Sequence, residues 1–179
     1  NILKNKIHKV QGGLFVVNVS DLINENLIYL NFDAADKEAV LSGLAKIISE
    51  EKKLCDEKYG EKEALEGYIG SLHEREETFS TAVGFSFAIP HGKCKYVKQA
   101  CLAYARLNNE ISWADDESAK HIFMIGVSEE NAGNEHLEIL IKLSTAILED
   151  DFREKLNKAE TESEVMKLLK DYSSKERTV

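Results

Sequence analysis

The apolar positions of the chain change period several times, and each change predicts an element. Residues 27–32 (LIYLNF) are a short run rich in strand-forming side chains. Asp33 then offers a helix N-cap, with Asp36 and Glu38 in the first turn. Val40, Leu44, Ile47 and Ile48 recur at helical spacing and predict an amphipathic helix ending near Glu50. A second helix is predicted over about 61–76, with Leu65, Tyr68, Ile69 and Leu72 facing inward. Residues 85–89 read as a strand stopped by Pro90, which has no N–H for a ladder and holds Ile89 extended. On that reading His91-Gly92 opens a loop. Residues 100–107 and 111–113 are extended candidates, and 121–127 (HIFMIGV) are nearly all apolar, as in a strand buried on both faces.

From Asn134 the period is helical again. Leu137, Leu140, Ile141, Ile147 and Leu148 make a wide apolar stripe, which predicts a largely buried helix. Phe152, Leu156 and Ala159 mark a short helix, and Thr161 with Glu164 makes a capping box before Val165, Leu168, Leu169 and Tyr172. Strands alternating with helices predict an α/β sandwich with helices on both faces of a sheet. Strands 100–107 and 121–127 have no helix between them, so the sheet should be mixed. Residues 1–19 read as an N-terminal arm, a hairpin or a leader: Lys4, Lys6 and Lys9 lack acidic partners, and Gly12-Gly13 signals a turn before 14–19. The domain is then expected over 20–179. A first residue of Asn rather than Met hints at an excerpt from a longer chain.

Composition narrows the function. A chain of 179 residues suits one domain with its own core. Hydrophobic residues at 43% and charged residues at 31% predict a folded, soluble chain. A net charge of -9 repels phosphate backbones, which argues against nucleic acid as a partner. The three cysteines form no CxxC pair, and that sparse usage fits a reducing cytoplasm. No apolar run approaches the roughly 20 residues that span a bilayer.

Among the candidate chemistry, His91 follows a strand end and precedes glycine, at the kind of sheet edge where α/β proteins bind ligands. An ordinary exposed loop histidine is an equal reading from spacing alone. His136 falls in the first turn of a predicted helix, where free N–H groups and the dipole suit an anion. Taken singly it reads better as a helix-start histidine touching a neighbouring loop. Arg75 lies in a run of Glu74, Glu76 and Glu77, which alone reads as a solvated face. His73 and His121 read as structural, and His8 belongs to the arm. Cys94, three residues after His91, invites a zinc site or a Cys–His nucleophile and is the weakest candidate. No GxxxxGK[ST], GxGxxG or HExxH motif is present.

Taken as one phrase, residues 75–92 (REETFSTAVGFSFAIPHG) resemble the signature of the fructose/mannitol-type enzyme IIA (EIIA) of the bacterial phosphoenolpyruvate-dependent sugar phosphotransferase system. The Asn134-Glu135-His136-Leu137 start of a helix matches a second element of that family, and the segment from Leu148 through Phe152 to Leu156 is similar too. The resemblance covers roughly 20–171. It implies a mixed, about five-stranded sheet between helices. It also implies a relay: HPr donates a phosphoryl group to a histidine of enzyme IIA, which passes it to an enzyme IIB, fused to or associated with a membrane enzyme IIC. Carried onto this chain, the acceptor is His91, the second active-site histidine is His136, the arginine is Arg75, and Thr81 matches a substrate-binding threonine. The resemblance calls for no metal or other cofactor and places the relay in the cytoplasm. Relatives with the same motif act as regulatory modules, so a phosphorylation-controlled regulator is the alternative, and a metal-dependent hydrolase using His91, Cys94 and His136 a third.

The chemistry suits these roles. Neutral imidazole is a nucleophile near pH 7 because its ordinary pKa is about 6.5. Phosphoryl transfer needs positioning and charge stabilisation above all. A guanidinium meets phosphate oxygens with a fork of donors. Lys93, Lys95 and Lys98 add at most a weak positive field.

Overall fold

The computed structural model describes residues 17–130 and 134–173. Of the expected arm, residues 1–16 lie outside the described residues. Val19 is buried, and the Asn18 carboxamide caps a 3-10 turn over Val19–Asp21. Val17 is tied by its N–H and its carbonyl to Glu138 and Lys142.

Six strands and six α-helices form among the described residues. They are β1 (Ile28–Phe32), α1 (Lys37–Glu50), α2 (Asp56–Tyr59), α3 (Glu61–Thr78), β2 (Ala82–Gly84), β3 (Phe87–Ala88), β4 (His91–Cys94), β5 (Cys101–Ala114), β6 (Glu117–Ser128), α4 (Glu135–Ile147), α5 (Asp150–Lys158) and α6 (Glu162–Ser173). The sheet order is β1-β5-β6-β3-β2, and β4 also pairs with β6. β1 runs parallel to β5, β5 antiparallel to β6, and both β3 and β4 parallel to β6. Since β3 and β4 lie end to end along β6, the six strands make five lines, as anticipated. The sheet is mixed because β5 and β6 form a hairpin with no helix between them, while β1 reaches β5 through helices. α1, α2 and α3 pack together on one face, and α4, α5 and α6 on the other.

The sheet differs from the sequence pattern at two places. Residues 85–89 do not form one strand: Phe85 (φ 57°) and Ser86 (φ 66°) make a left-handed two-residue turn between β2 and β3. Such a turn normally takes Asn-Gly. Here tertiary partners hold it. The Ser86 hydroxyl donates to Glu110, the Ser86 carbonyl accepts from the N–H groups of Lys120 (2.8 Å) and His121 (3.0 Å), and the Arg153 guanidinium covers the Phe85 ring at 3.9 Å. The second correction concerns Pro90. The sheet does not stop there, and His91 opens a strand rather than a loop. Proline donates nothing, but its carbonyl accepts from Ile125 N–H at 3.0 Å, so the ladder to β6 continues through it. A strand at the sheet's edge tolerates this because only one of its sides needs partners.

The α4 stripe is also narrower than its sequence suggests. Ile139, Leu143, Ala146 and Ile147 are buried, whereas Leu137, Ile141 and Leu148 face solvent. On the other face, α3 sits close to the sheet because Gly92 has no Cβ. A Cβ at Gly92 would stand 2.2 Å from the Ser71 hydroxyl, which is held by its bond to the Tyr68 carbonyl. A Cβ at Gly126 would stand 3.0 Å from Cys101 Sγ. The buried Tyr68 hydroxyl donates to the Ile125 carbonyl at 2.9 Å and locks α3 to β6.

His121 is structural, as anticipated. It is 5% exposed, lies 2.7 Å through Nδ1 from the Tyr104 hydroxyl, and stacks on Phe87 at 4.5 Å between ring centroids. Burial, helped by the charges of Arg106 and Lys120, pushes its pKa down to about 4. In the unfolded chain the value is about 6.5. Between these limits the unfolded state holds the proton and the folded state does not. Stability is therefore complete above pH 6.5 and falls as pH drops through 4, with about 3 kcal/mol at stake. Urea unfolding between pH 7 and 4 should show that loss, and His121→Gln should flatten the slope. An unchanged slope in the variant would acquit His121.

Candidate functional site

Three elements meet at the site. α3 carries Arg75 one turn before its end, β4 starts with His91, and the first turn of α4 holds His136. The meeting follows from topology: α3 packs on β4, and β4 runs beside β6, which leads towards α4.

The hydrogen bonds at His91 determine its tautomer. Arg75 Nε donates to His91 Nε2 at 3.2 Å, and guanidinium cannot accept. Nε2 therefore carries a lone pair. On the other side of the ring, Nδ1 is 2.9 Å from the Ile89 carbonyl, which can only accept, so Nδ1 carries the proton. The ring is thus neutral with its nucleophilic nitrogen turned to a cation. A second arm of Arg75, Nη1, donates to the Phe79 carbonyl at 2.7 Å and fixes the guanidinium.

Electrostatics keeps the ring in this state. His91 titrates below the ordinary histidine value because of burial first, then the charges of Arg75 and His136; the Ile89 carbonyl and Glu76 oppose the shift. His136 is lowered as well, by burial and by Lys93. Its Nδ1 is sheltered from solvent with no hydrogen-bond partner. A polar nitrogen left in that condition at a helix N-terminus suits an incoming anion. Of the three lysines near His91, Lys93 is the one that acts on His136. Lys95 lies instead over the rings of Tyr59 and Tyr96, at 5.2 and 5.1 Å. Cys94 is three residues from His91 on one strand, so alternation turns the two side chains to opposite faces. That geometry removes the Cys–His pairing.

The family model for the phosphoenolpyruvate-dependent sugar phosphotransferase system, EIIA 2, matches residues 21–172. The chain belongs to this family. It is 34% identical over 148 residues to multiphosphoryl transfer protein 2 of Escherichia coli (strain K12), a match covering 83% of this chain and 17% of that protein. The chain thus spans less than a fifth of that relative's length. It is 33% identical over 156 residues to the PTS system fructose-specific EIIA component of Haloferax volcanii, covering 86% of this chain and 96% of that one. Among solved structures, the nitrogen regulatory protein IIA-Ntr from Neisseria meningitidis aligns with a TM-score of 0.73 at 27% identity, over 84% of this chain and 98% of that one.

Several features of this EIIA domain were not readable from its sequence. The acidic run beside Arg75 is not uniformly solvated: the Glu76 side chain is 5% exposed and pairs with Lys37 at 2.9 Å. Thr81 is buried, and its hydroxyl donates to Glu76. The carbonyls of Phe79 and Ile89, which orient the two key side chains, carry no signal in residue type. Apolar side chains also stand exposed beside the candidate site: Phe79 at the end of α3, 75% exposed, and Leu137 in the first turn of α4, 47% exposed. Strand and helix patterning assigns such residues to a core, so their exposure emerges only from the fold.

Proposed function

We propose that the chain is a phosphocarrier of sugar uptake, in which His91 accepts a phosphoryl group from HPr and passes it to an enzyme IIB. One observation carries this reading. His91 Nε2 is an unprotonated nitrogen held against the Arg75 guanidinium. Its lone pair attacks phosphorus, a P–N bond forms at Nε2, and the donor's bond to phosphorus breaks with the electron pair returning to the donor. Nδ1 keeps its proton on the Ile89 carbonyl throughout, so no proton has to leave. Arg75 releases Nε2 as phosphorus approaches and turns its donors to the phosphoryl oxygens. His136 and the α4 N-terminus face the remaining charge. Onward transfer reverses these steps, with neutral imidazole as the leaving group. Thr81 contributes by position, since its hydroxyl proton is engaged by Glu76.

The exposed apolar side chains on the same elements suit docking of protein partners rather than a small molecule. No helix among the described residues is long and apolar enough to cross a membrane. We place the relay on the cytoplasmic side of a membrane enzyme IIC. A second reading, a module whose phosphorylation state controls a partner, draws on the likeness to nitrogen regulatory protein IIA-Ntr. The test is phosphoenolpyruvate, enzyme I and HPr with the purified chain, followed by candidate IIB proteins. The phosphocarrier reading expects one acid-labile phosphoryl group that IIB discharges. Labelling that no IIB can discharge favours the regulator, and absence of labelling overturns both.

A further inference from the structure

We propose that Glu76 and Thr81 form a positioning clamp that sets both the Arg75 guanidinium and the reactive tautomer of His91. The inference rests on the reading of His91 as phosphoryl acceptor. Glu76 follows Arg75 in α3, yet it is the buried member of its acidic run. Its carboxylate receives Lys37 Nζ at 2.9 Å, the Thr81 N–H at 3.3 Å and the Thr81 hydroxyl. Three donors on one buried carboxylate join the start of α1, the end of α3 and the entry to β2. A buried carboxylate is tolerated only when satisfied in this way.

Two chains of contacts run from the clamp to the site. The first passes through the loop that the Glu76–Thr81 contact closes. Phe79 lies within that loop, and its carbonyl takes Arg75 Nη1 at 2.7 Å. The Phe79 ring is 75% exposed, so its own packing does little to fix that carbonyl. The clamp does so by pinning both ends of the loop. The second chain crosses from the residue before β2 to the residue after β3. The Thr81 carbonyl accepts from Ile89 N–H at 3.0 Å, and the Ile89 carbonyl accepts from His91 Nδ1 at 2.9 Å. Pro90, with its restricted φ, links Ile89 to His91. Holding Thr81 therefore holds the acceptor that keeps the proton on Nδ1 and leaves Nε2 free to attack. Glu76 and Thr81 touch neither phosphorus nor donor; they act through Arg75 and His91.

The test uses Thr81→Val, which keeps shape and removes the hydroxyl, Thr81→Ser, which keeps the hydroxyl, and Glu76→Gln. Three quantities are read: the His91 tautomer from its imidazole ¹⁵N shifts, single-turnover acceptance from phosphorylated HPr, and thermal unfolding. Wild type should hold the proton on Nδ1. Thr81→Val and Glu76→Gln should populate the other tautomer and accept about tenfold to a hundredfold more slowly, the scale of a misplaced reacting group. Thr81→Ser should restore both readouts. Lower melting temperature with a wild-type tautomer and rate means that the pair is merely structural and overturns the proposal. So does a Thr81→Ser variant as impaired as Thr81→Val. Should Thr81→Val fail to fold, Glu76→Gln and Thr81→Ser carry the same decision. If wild type takes its label elsewhere, the acceptor reading fails, while the tautomer measurement still judges the clamp.

Discussion

His91→Ala should accept no phosphoryl group from HPr while keeping its fold. Acceptance needs a lone pair at one place, and the structure offers it on Nε2 opposite Arg75. Alanine removes the atom to which phosphorus bonds, so the loss should be complete rather than graded. The cost to folding should stay within a few kcal/mol. The ring is half-buried and gives up two hydrogen bonds: one with the charged Arg75, worth about 1.5–3 kcal/mol net, and one with the Ile89 carbonyl, worth about 0.5–1.5 kcal/mol. β4 should survive because its ladder to β6 uses backbone groups that the substitution leaves alone. Mass measurement after incubation with phosphorylated HPr reads the result, with circular dichroism as the control for folding. A phosphoryl group found on folded His91→Ala would falsify the assignment. Acid lability of the wild-type label gives a second check, since a P–N bond hydrolyses in acid where a phosphate ester persists.

How far the sequence spoke follows from what kind of information each feature needs. The helices over 37–50 and 61–78 were legible because their apolar residues recur at helical spacing around strong formers. Strand β6 was legible as a run apolar on both faces. The turn at Phe85–Ser86 was not, because neither residue favours a positive φ and its support comes from Glu110, Lys120, His121 and Arg153, up to 68 positions away. Strand β4 was hidden because Pro90 signals a stop, and only a partner strand that donates to its carbonyl lets the ladder pass. Leu137 and Ile141 were read as core because periodicity reports which side of a helix is apolar, not how wide a face the sheet covers. Around the site, Arg75 and His91 were conspicuous as soon as residues 75–92 were read as a unit, and His136 once Asn134-Glu135-His136-Leu137 was set beside them. The groups that orient them were not. Backbone carbonyls have no letter in the sequence, and Glu76 looks like its exposed neighbours Glu74 and Glu77 until Thr81 and Lys37 are brought to it.

The same contacts predict different failures for the two residues beside His91. Arg75→Ala and His136→Ala should each still label at His91, but slowly. Removing one well-placed donor from a site of developing charge costs about 10²–10³ in rate, or roughly 2.7–4 kcal/mol. The two variants then part company in the resting state. Arg75 is a charge that lowers the His91 pKa and a donor that occupies Nε2. In Arg75→Ala the His91 pKa should therefore rise towards its ordinary value, so that acceptance becomes more sensitive to acid. Arg75→Lys should recover part of the rate, since an ammonium keeps the charge but cannot hold the Phe79 carbonyl and a phosphoryl oxygen with one planar fork. His136 lowers the His91 pKa too, as a weaker contributor, and it makes no hydrogen bond to that ring. His136→Ala should leave the His91 tautomer as it is and act mainly once the phosphoryl group has arrived, where the sheltered Nδ1 and the α4 N-terminus meet the new charge. Its deficit should thus be larger in discharge to IIB than in acceptance from HPr. Single-turnover transfer in both directions, with a pH titration of the His91 ring, separates these outcomes. Wild-type rates in both alanine variants would remove the stabilising roles and leave His91 alone. No label at all on a folded His136→Ala would exchange the roles of the two histidines or make both essential to the first step.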